Sequence, residues 1–470
     1  MKRRTFLKGM GAIGVTALAA GTGFLATRPG IDLAPGKSRA RSITGDTDLP
    51  HSTEVVIIGG GFVGVNAALT LAERGIPVVL CEKGVVAGEA SGRSMGFMNG
   101  QLADAAKTPM ISRSKQLWAG MNARTGTDSS FRPTGAVLEL SEEQITDAEQ
   151  WIKTQSAFPE FDYRIVTGRA LEKLLPGNMN LPHAALFSPS DGSVDASLAV
   201  PALAEVARAR GAKIIQNCAV REIEFSGGAI SGVVTENGRI ACRNVIVAGG
   251  YWSPLLLSGM GLDLPQIDVY LSQYALSKLD GPEMPYQSAK YGIRRQTDGS
   301  YTFGVFDVML PIEPDLIKHA MLLRQGAEAF GSMAHLGMSP AEFWDQMMRD
   351  PHALPSPYEK RRILNPEVRT IPMDKALNAL SADYPEFRNV KVMEKWAGVI
   401  STTPDNMPFI SDVPGRTGLL IGSGLEAGLS WGPAVGEALA DLAMGRTTKF
   451  DLKNYRFNRF SDGSPMVFRH

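Results

Sequence analysis

The sequence predicts an α/β fold in two domains, and three observations predict it. An apolar, β-branched strand, Val55–Ile58, runs straight into a glycine-rich turn and a helix. The same strand–turn–helix grammar returns near residues 196–250 and 396–445, so one sheet is built from separated pieces of chain. At 470 residues, 44% hydrophobic and 20% charged, the chain is long enough for two buried cores. Its 48 basic and 48 acidic residues balance, which argues against nucleic acid or an anionic membrane as a partner drawn in by global charge. The three cysteines, Cys81, Cys218 and Cys242, show no CxxC spacing and sit in apolar runs, as buried thiols do. The six histidines show no metal-ligand spacing, which argues against a metal site.

The first element is not part of the fold. "MKRRTFLKG" is a basic start followed by an uncharged run from Gly9 to Ala26, a secretory pattern. Arg3-Arg4-Thr5-Phe6-Leu7-Lys8 has the order of a twin-arginine signal, which exports proteins already folded. Residues 1–27 are therefore expected to be a signal or anchor, and 28–51, rich in Pro, Gly, Ser and Arg, a flexible linker. The expected location is the periplasm or the outer face of the inner membrane. A protein exported folded has reason to carry a tightly bound cofactor.

Next comes a nucleotide site. Gly59-Gly60-Gly61-Phe62-Val63-Gly64 fits GxGxxG, and a helical stretch with Ala67, Leu69, Leu71 and Ala72 follows, stopping at Arg74-Gly75. The strand Val78–Cys81 then ends at Glu82, at the spacing expected of a ribose-binding carboxylate. Glycines admit a pyrophosphate to the backbone, the helix N-terminus offers unpaired amides, and Glu82 accepts from a ribose hydroxyl. The domain is thus Rossmann-like. The Gly- and Ser-rich loop 84–101, with Arg93, suits a second wrap around a long dinucleotide, with Arg93 and nearby amides neutralising its pyrophosphate; an ordinary surface loop is the alternative.

Later segments rejoin this domain. A helix over 196–210, a strand over 213–215, a meander turning at "SGG" and "ENG", and a buried strand over 245–248 end at Gly249-Gly250. Near the C-terminus, "GLLIGSG" leads through Gly422, Gly424 and Gly428 to a helix expected to start near Pro433. Its N-terminus would face a flavin carbonyl that gains charge on reduction. The nucleotide domain is therefore expected over 52–100, 190–260 and 391–446.

These segments, in this order, resemble the D-amino-acid-oxidase-like superfamily of FAD oxidoreductases, and within it the bacterial membrane-associated L-amino acid deaminases. The resemblance runs from about Glu54 to Gly445 and is carried by "VVIIGGGFVG", "LAERG", "EKGVVAGE", "NCAVREIE", "VVTENG", "VIVAGG" and "TPDNMPFISDV", besides the twin arginines. It implies FAD held without covalent attachment by Gly59, Gly61, Phe62, Val63, Gly64, Glu82, Lys83, Ser91, Arg93, Ser94, Val220, Ala248, Gly249, Gly424, Gly428, Leu429 and Ser430. It also implies a discontinuous substrate domain on a mixed or antiparallel sheet, over 101–189 and 261–390, and a C-terminal tail over 447–470. A helical insertion at 312–350, with Leu316, Ile317, Ala320, Leu323 and Ala327 on one side, is either a membrane-contact module or a cap on the substrate domain. The activity implied is oxidation of an amino acid C–N bond by hydride transfer to flavin N5. The imine is then hydrolysed and electrons pass to the respiratory chain or to O2.

Departures from the family pattern bear on the substrate. Where the deaminases clamp a carboxylate with an arginine, this chain has Phe306; Arg294 and Arg295, one strand earlier, are the candidate substitutes. Where they carry a large aromatic, it has Glu426-Ala427, and Glu426 either receives an ammonium or faces solvent. Gln101 and Gln273 match pocket glutamines that would bind the substrate's polar end. Three alternatives stay open: an amine oxidase or dehydrogenase for a non-amino-acid amine, a flavoprotein without catalysis, and a nicotinamide dehydrogenase.

Overall fold

The computed structural model describes residues 31–32, 36–322, 334–337 and 340–469. The twin-arginine segment, and Leu323 and Ala327 of the expected helical face, lie outside the described residues. Two large sheets organise the rest. The first has a parallel core in the order Lys213–Ile215, Val78–Cys81, Val55–Ile58, Asn244–Val247, Arg416–Ser423. These short strands are buried on both faces, which explains why they read as continuous apolar runs rather than alternating ones. The meander Val220–Ser226, Ala229–Thr235, Gly238–Ala241 is antiparallel within itself, as its turns predict, and joins the same sheet by a parallel pairing of Ala229 with Thr417.

Three helices, Phe62–Glu73, Ala196–Ala209 and Gly428–Ala443, pack together over one face of this sheet. The first and last approach closely because a Cβ at Gly436 would lie 2.7 Å from Ala67 N. The last helix begins at Gly428, not near Pro433. Proline inside a helix removes an amide and leaves a carbonyl unmatched four residues earlier. Here that carbonyl, Leu429 O, accepts from the indole Nε1 of Trp118 at 3.0 Å, and Ser114 Oγ donates to Trp431 O and accepts from Ala434 N. Tertiary donors let the helix run through the proline.

The second sheet is mixed. Its spine is Ile267–Leu276, flanked by Tyr301–Gly304 on one side and, for nearly its whole length, by Val392–Thr402 on the other, all antiparallel. The sequence grouped 391–402 with the nucleotide domain; its backbone instead pairs into the substrate sheet, from Ile267↔Thr402 to Tyr274↔Lys395. Conversely, residues 356–366, grouped with the substrate domain, bind the nucleotide side: Arg221 pairs with Glu359 and Arg362 with Glu236, both at 2.6 Å.

The expected linker also departs from a free tether. From residue 36 it lies along the body. Gly36 N donates to Ile363 O, Asp46 exchanges backbone and side-chain bonds with Ile214, and Arg39 pairs with Glu394 at 3.0 Å. Its polar residues are not solvated spacers; they have partners far along the chain. Among the described residues, no helix is long and apolar enough to cross a membrane.

Candidate active site

A cavity of about 570 Å³ lies between the two sheets. The nucleotide sheet lines it with Gly59–Val63, Glu82, Val220, Ala248 and Gly249; the substrate sheet contributes Leu271, Ser272 and Gln273. Phe306 and the turn Gly424–Leu429 complete the wall.

The glycine cradle is tight. Gly59 has φ +112°, and a Cβ there would fall 2.4 Å from Ala248 O, so only glycine fits between the first strand and its neighbour. At Gly64 a Cβ would be 2.0 Å from Gly59 O, so this glycine serves strand–helix packing and does not itself line the cavity. Amides in the first turn of Phe62–Glu73 have no partners within the helix. That of Phe62 donates to Ser91 Oγ at 3.0 Å, which draws the 84–101 loop against the cradle. Glu82 accepts from Gly60 N through Oε2 and from Gly84 N through Oε1, both at 2.7 Å. Burial pushes its carboxyl pKa up, against the pull of Lys83 and these amides. Each oxygen keeps lone pairs for a ribose diol. A backbone that tolerates no Cβ, the amide-rich N-terminus of the helix and an anchored carboxylate fit the dinucleotide part of FAD.

Other expected cofactor residues do different work. The Lys83 ammonium is committed to Glu89 Oε1 and to the carbonyls of Arg361 and Arg362, so it ties down residues 356–366. Arg93 is buried and donates to Ala397 O (2.6 Å) and Lys37 O (3.2 Å). It holds the strand Val392–Thr402 rather than offering its guanidinium edge to a pyrophosphate, although it lines the cavity and its Nε has no partner. Ser94 lines the cavity, with Oγ accepting from Gly96 N. Gly424, Gly428 and Leu429 line it too, whereas Ser430 is buried behind them, accepting from Asn99 N at 3.3 Å.

On the substrate side neither arginine reaches the cavity. Arg294 is buried, bonded to Met95 O (2.7 Å) and Thr302 Oγ1 (3.1 Å), and Arg295 pairs with Glu283 at the surface. Phe306 and Gln273 do line it, and Gln273 Oε1 is buried without a partner. Gln101 stands behind the wall, its Oε1 accepting from Asn99 Nδ2 at 3.1 Å and its Nε2 unpartnered. Glu426 lines the cavity but is not simply solvated: its Oε1 accepts from Lys107 Nζ at 2.9 Å, and its Oε2 is buried without a partner.

Sequence reasoning missed Lys107, which is 319 positions from Glu426 and carries no local signal. It also missed Asn99 in the wall and a chain of hydrogen bonds behind it. Ser423 donates to Gln266, and Gln266 and Ser401 donate to Asp268, whose burial pushes its pKa up to about 7. All three Cys are buried and unbridged, and no group of His, Cys, Asp and Glu among the described residues could hold a metal ion.

Comparison with known proteins agrees with this geometry. The model of the FAD-dependent oxidoreductase (DAO) family matches residues 54–442. The solved structure of L-amino acid deaminase from Proteus myxofaciens, in complex with anthranilate, is 34% identical with a TM-score of 0.88, covering 91% of this chain and 98% of that one. The deaminase from Proteus vulgaris is 30% identical (TM-score 0.84), covering 89% and 100%. Among curated proteins, glycine oxidase of Geobacillus kaustophilus is 22% identical over 87% of this chain and 98% of its own length. 4-Methylaminobutanoate oxidase (formaldehyde-forming) of Paenarthrobacter nicotinovorans is 25% identical over 89% of this chain, which spans only 47% of that relative. With a glycine cradle, a carboxylate anchored beside it and a family match across both sheets, the chain belongs to the DAO family of FAD-dependent oxidoreductases, enzymes that act on amino acids or amines.

Proposed function

We propose that the protein oxidises a C–N bond of an amino acid or amine, in the manner of an L-amino acid deaminase, and releases an imine that water hydrolyses to a carbonyl compound and ammonia or an amine. The observation that carries this reading is the fused cavity: the dinucleotide cradle opens, without an intervening wall, onto a chamber lined by Gln273, Phe306 and the Gly424–Leu429 turn. When bound, FAD supplies the two-electron acceptor for the hydride leaving the carbon that bears nitrogen. The chain's own residues position: Gly59–Val63 and Glu82 hold the dinucleotide, and Phe306 with Leu271 gives the chamber apolar walls that exclude water. Hydride leaves from the neutral amine, so a substrate that arrives as an ammonium gives up its proton to solvent before the transfer; among the described residues, no side chain lining the substrate half is placed as a dedicated base.

A second reading, a non-amino-acid amine as substrate, is favoured by one observation. Lys83 and Arg93 are the cationic residues lining the cavity, and both are committed to backbone carbonyls, as is buried Arg294 behind it. Anaerobic bleaching of the purified holoprotein separates the two. Bleaching by L-amino acids alone supports the deaminase; bleaching by simple amines alone supports the second reading. No bleaching by either class, with FAD bound, overturns both.

Export by the twin-arginine route, and electron transfer to a respiratory acceptor, remain part of this proposal. So does contact with a membrane through the insertion. It exposes Ile317, Met321, Trp344, Met347 and Met348, with Met321 76% and Met348 78% accessible. Apolar side chains so exposed suit a lipid surface. Co-flotation with anionic lipid vesicles, lost on Trp344→Ser with Met348→Ser, tests it.

A further inference from the structure

Resting on the reading of the cavity as a site of amine C–N oxidation, we propose that Glu426 selects the substrate: it receives an N–H-bearing cationic group, so that substrates present an ammonium rather than a carboxylate to the Gly424–Gly428 turn. Lys107 is its positioning residue.

Four observations converge on this. Glu426 lines the cavity, and only one of its oxygens is used within the protein. Lys107, 2% accessible and outside the lining, grips Oε1 at 2.9 Å and so fixes the direction of the carboxylate. Oε2 is buried yet has no hydrogen-bond partner, an arrangement folded proteins rarely leave unmatched. A donor on a ligand would match it. Gln273, 6% accessible and lining the same cavity, has a second buried acceptor, Oε1, also without a partner. The arrangement is therefore rich in acceptors and poor in available cations.

A substrate carboxylate would find the opposite of what it needs. Arg294 and Arg295, the arginines nearest in sequence to the position of the expected clamp, are spent on Met95 O, Thr302 and Glu283. Lys107 is already paired with Glu426 and does not line the cavity. A second carboxylate beside Glu426 would add like-charge repulsion where water is scarce. An ammonium gains a charge-assisted bond instead.

The test uses the FAD-loaded protein and two probes matched in length, n-butylammonium and butyrate, with affinities measured by calorimetry under nitrogen. Wild type is expected to bind butylammonium at least about tenfold more tightly than butyrate. Glu426→Gln is expected to weaken butylammonium about tenfold or more and to leave butyrate unchanged or tighter. Lys107→Met is expected to retain the ammonium preference while lowering thermal stability, since it removes the positioning group and not the acceptor. Equal affinities, a preference for butyrate, no binding of either probe, or equal loss of both on Glu426→Gln overturns the proposal. Should the Glu426 variant lose FAD, the wild-type ratio alone decides. The outcome is separable from the reading it rests on. An ammonium preference in a protein that no amine or amino acid bleaches sinks the oxidation reading and leaves the selectivity standing. Bleaching without that preference does the reverse.

Discussion

Glu82 shows how much one side chain does here. Its two oxygens hold two loop amides, those of Gly60 and Gly84, so the same carboxylate shapes the cradle and would accept from the ribose of a bound FAD. Glu82→Ala removes a charged acceptor and leaves both amides unmatched. We expect FAD affinity to fall by about tenfold to a hundredfold, read as flavin released on dialysis. Retention of FAD at wild-type affinity would show that the cradle glycines alone hold the dinucleotide. In the sequence, position and residue type are what point to this role. For Lys83 and Arg93 they did not: charge suggested an anion partner, while carbonyls brought up from residues 361–362 and 397 use the same donors. A basic side chain cannot reveal from its own neighbourhood which acceptor will reach it first.

Among the elements, the helix Gly428–Ala443 joins fold and site, because its first residues line the cavity and its body packs on Phe62–Glu73. Pro433 suggested a late start, since proline favours a helix's first turn. Trp118 and Ser114, on the helix Thr108–Ala119, supply the missing hydrogen bonds and move the start to Gly428. Trp118→Phe keeps an aromatic ring but loses the indole N–H and part of the volume, and leaves Leu429 O buried and unpaired. The expected cost is about 1–3 kcal/mol, measured as a lower unfolding temperature, together with weaker FAD retention as the turn at Leu429 loosens. An unchanged melting temperature would mean that the carbonyl finds water. By contrast, the strand Val392–Thr402 carried no mark of which sheet it joins. Its partner, Ile267–Leu276, is more than a hundred residues away, and either sheet could have buried its apolar positions.

At the scale of the whole molecule, the two sheets are held in register by chain segments that cross between them. Residues 356–366 are the clearest case. Arg221 beside Glu359 holds that carboxyl down at about 2, well below the usual carboxylate range, helped by Ser356. Because the folded value lies below the unfolded one, this pair stabilises fully above about pH 4.3 and its contribution fades as pH falls toward 2. Glu359→Gln is therefore expected to lower stability by about 1–2 kcal/mol at pH 7, with the gap to wild type closing between pH 4 and pH 2. A gap independent of pH would assign the loss to packing. The nucleotide half was legible residue by residue: strand, glycines, helix and acid lie within thirty residues of one another, so periodicity, Cβ exclusion at Gly59 and spacing to Glu82 are all local properties. Only the tertiary structure decided the substrate half. There Lys107 meets Glu426 across 319 residues, Arg294 turns away from the cavity to Met95, and a mixed sheet draws one long strand from near the C-terminus. Contacts between distant segments depend on how whole elements pack, and no short stretch of sequence encodes that.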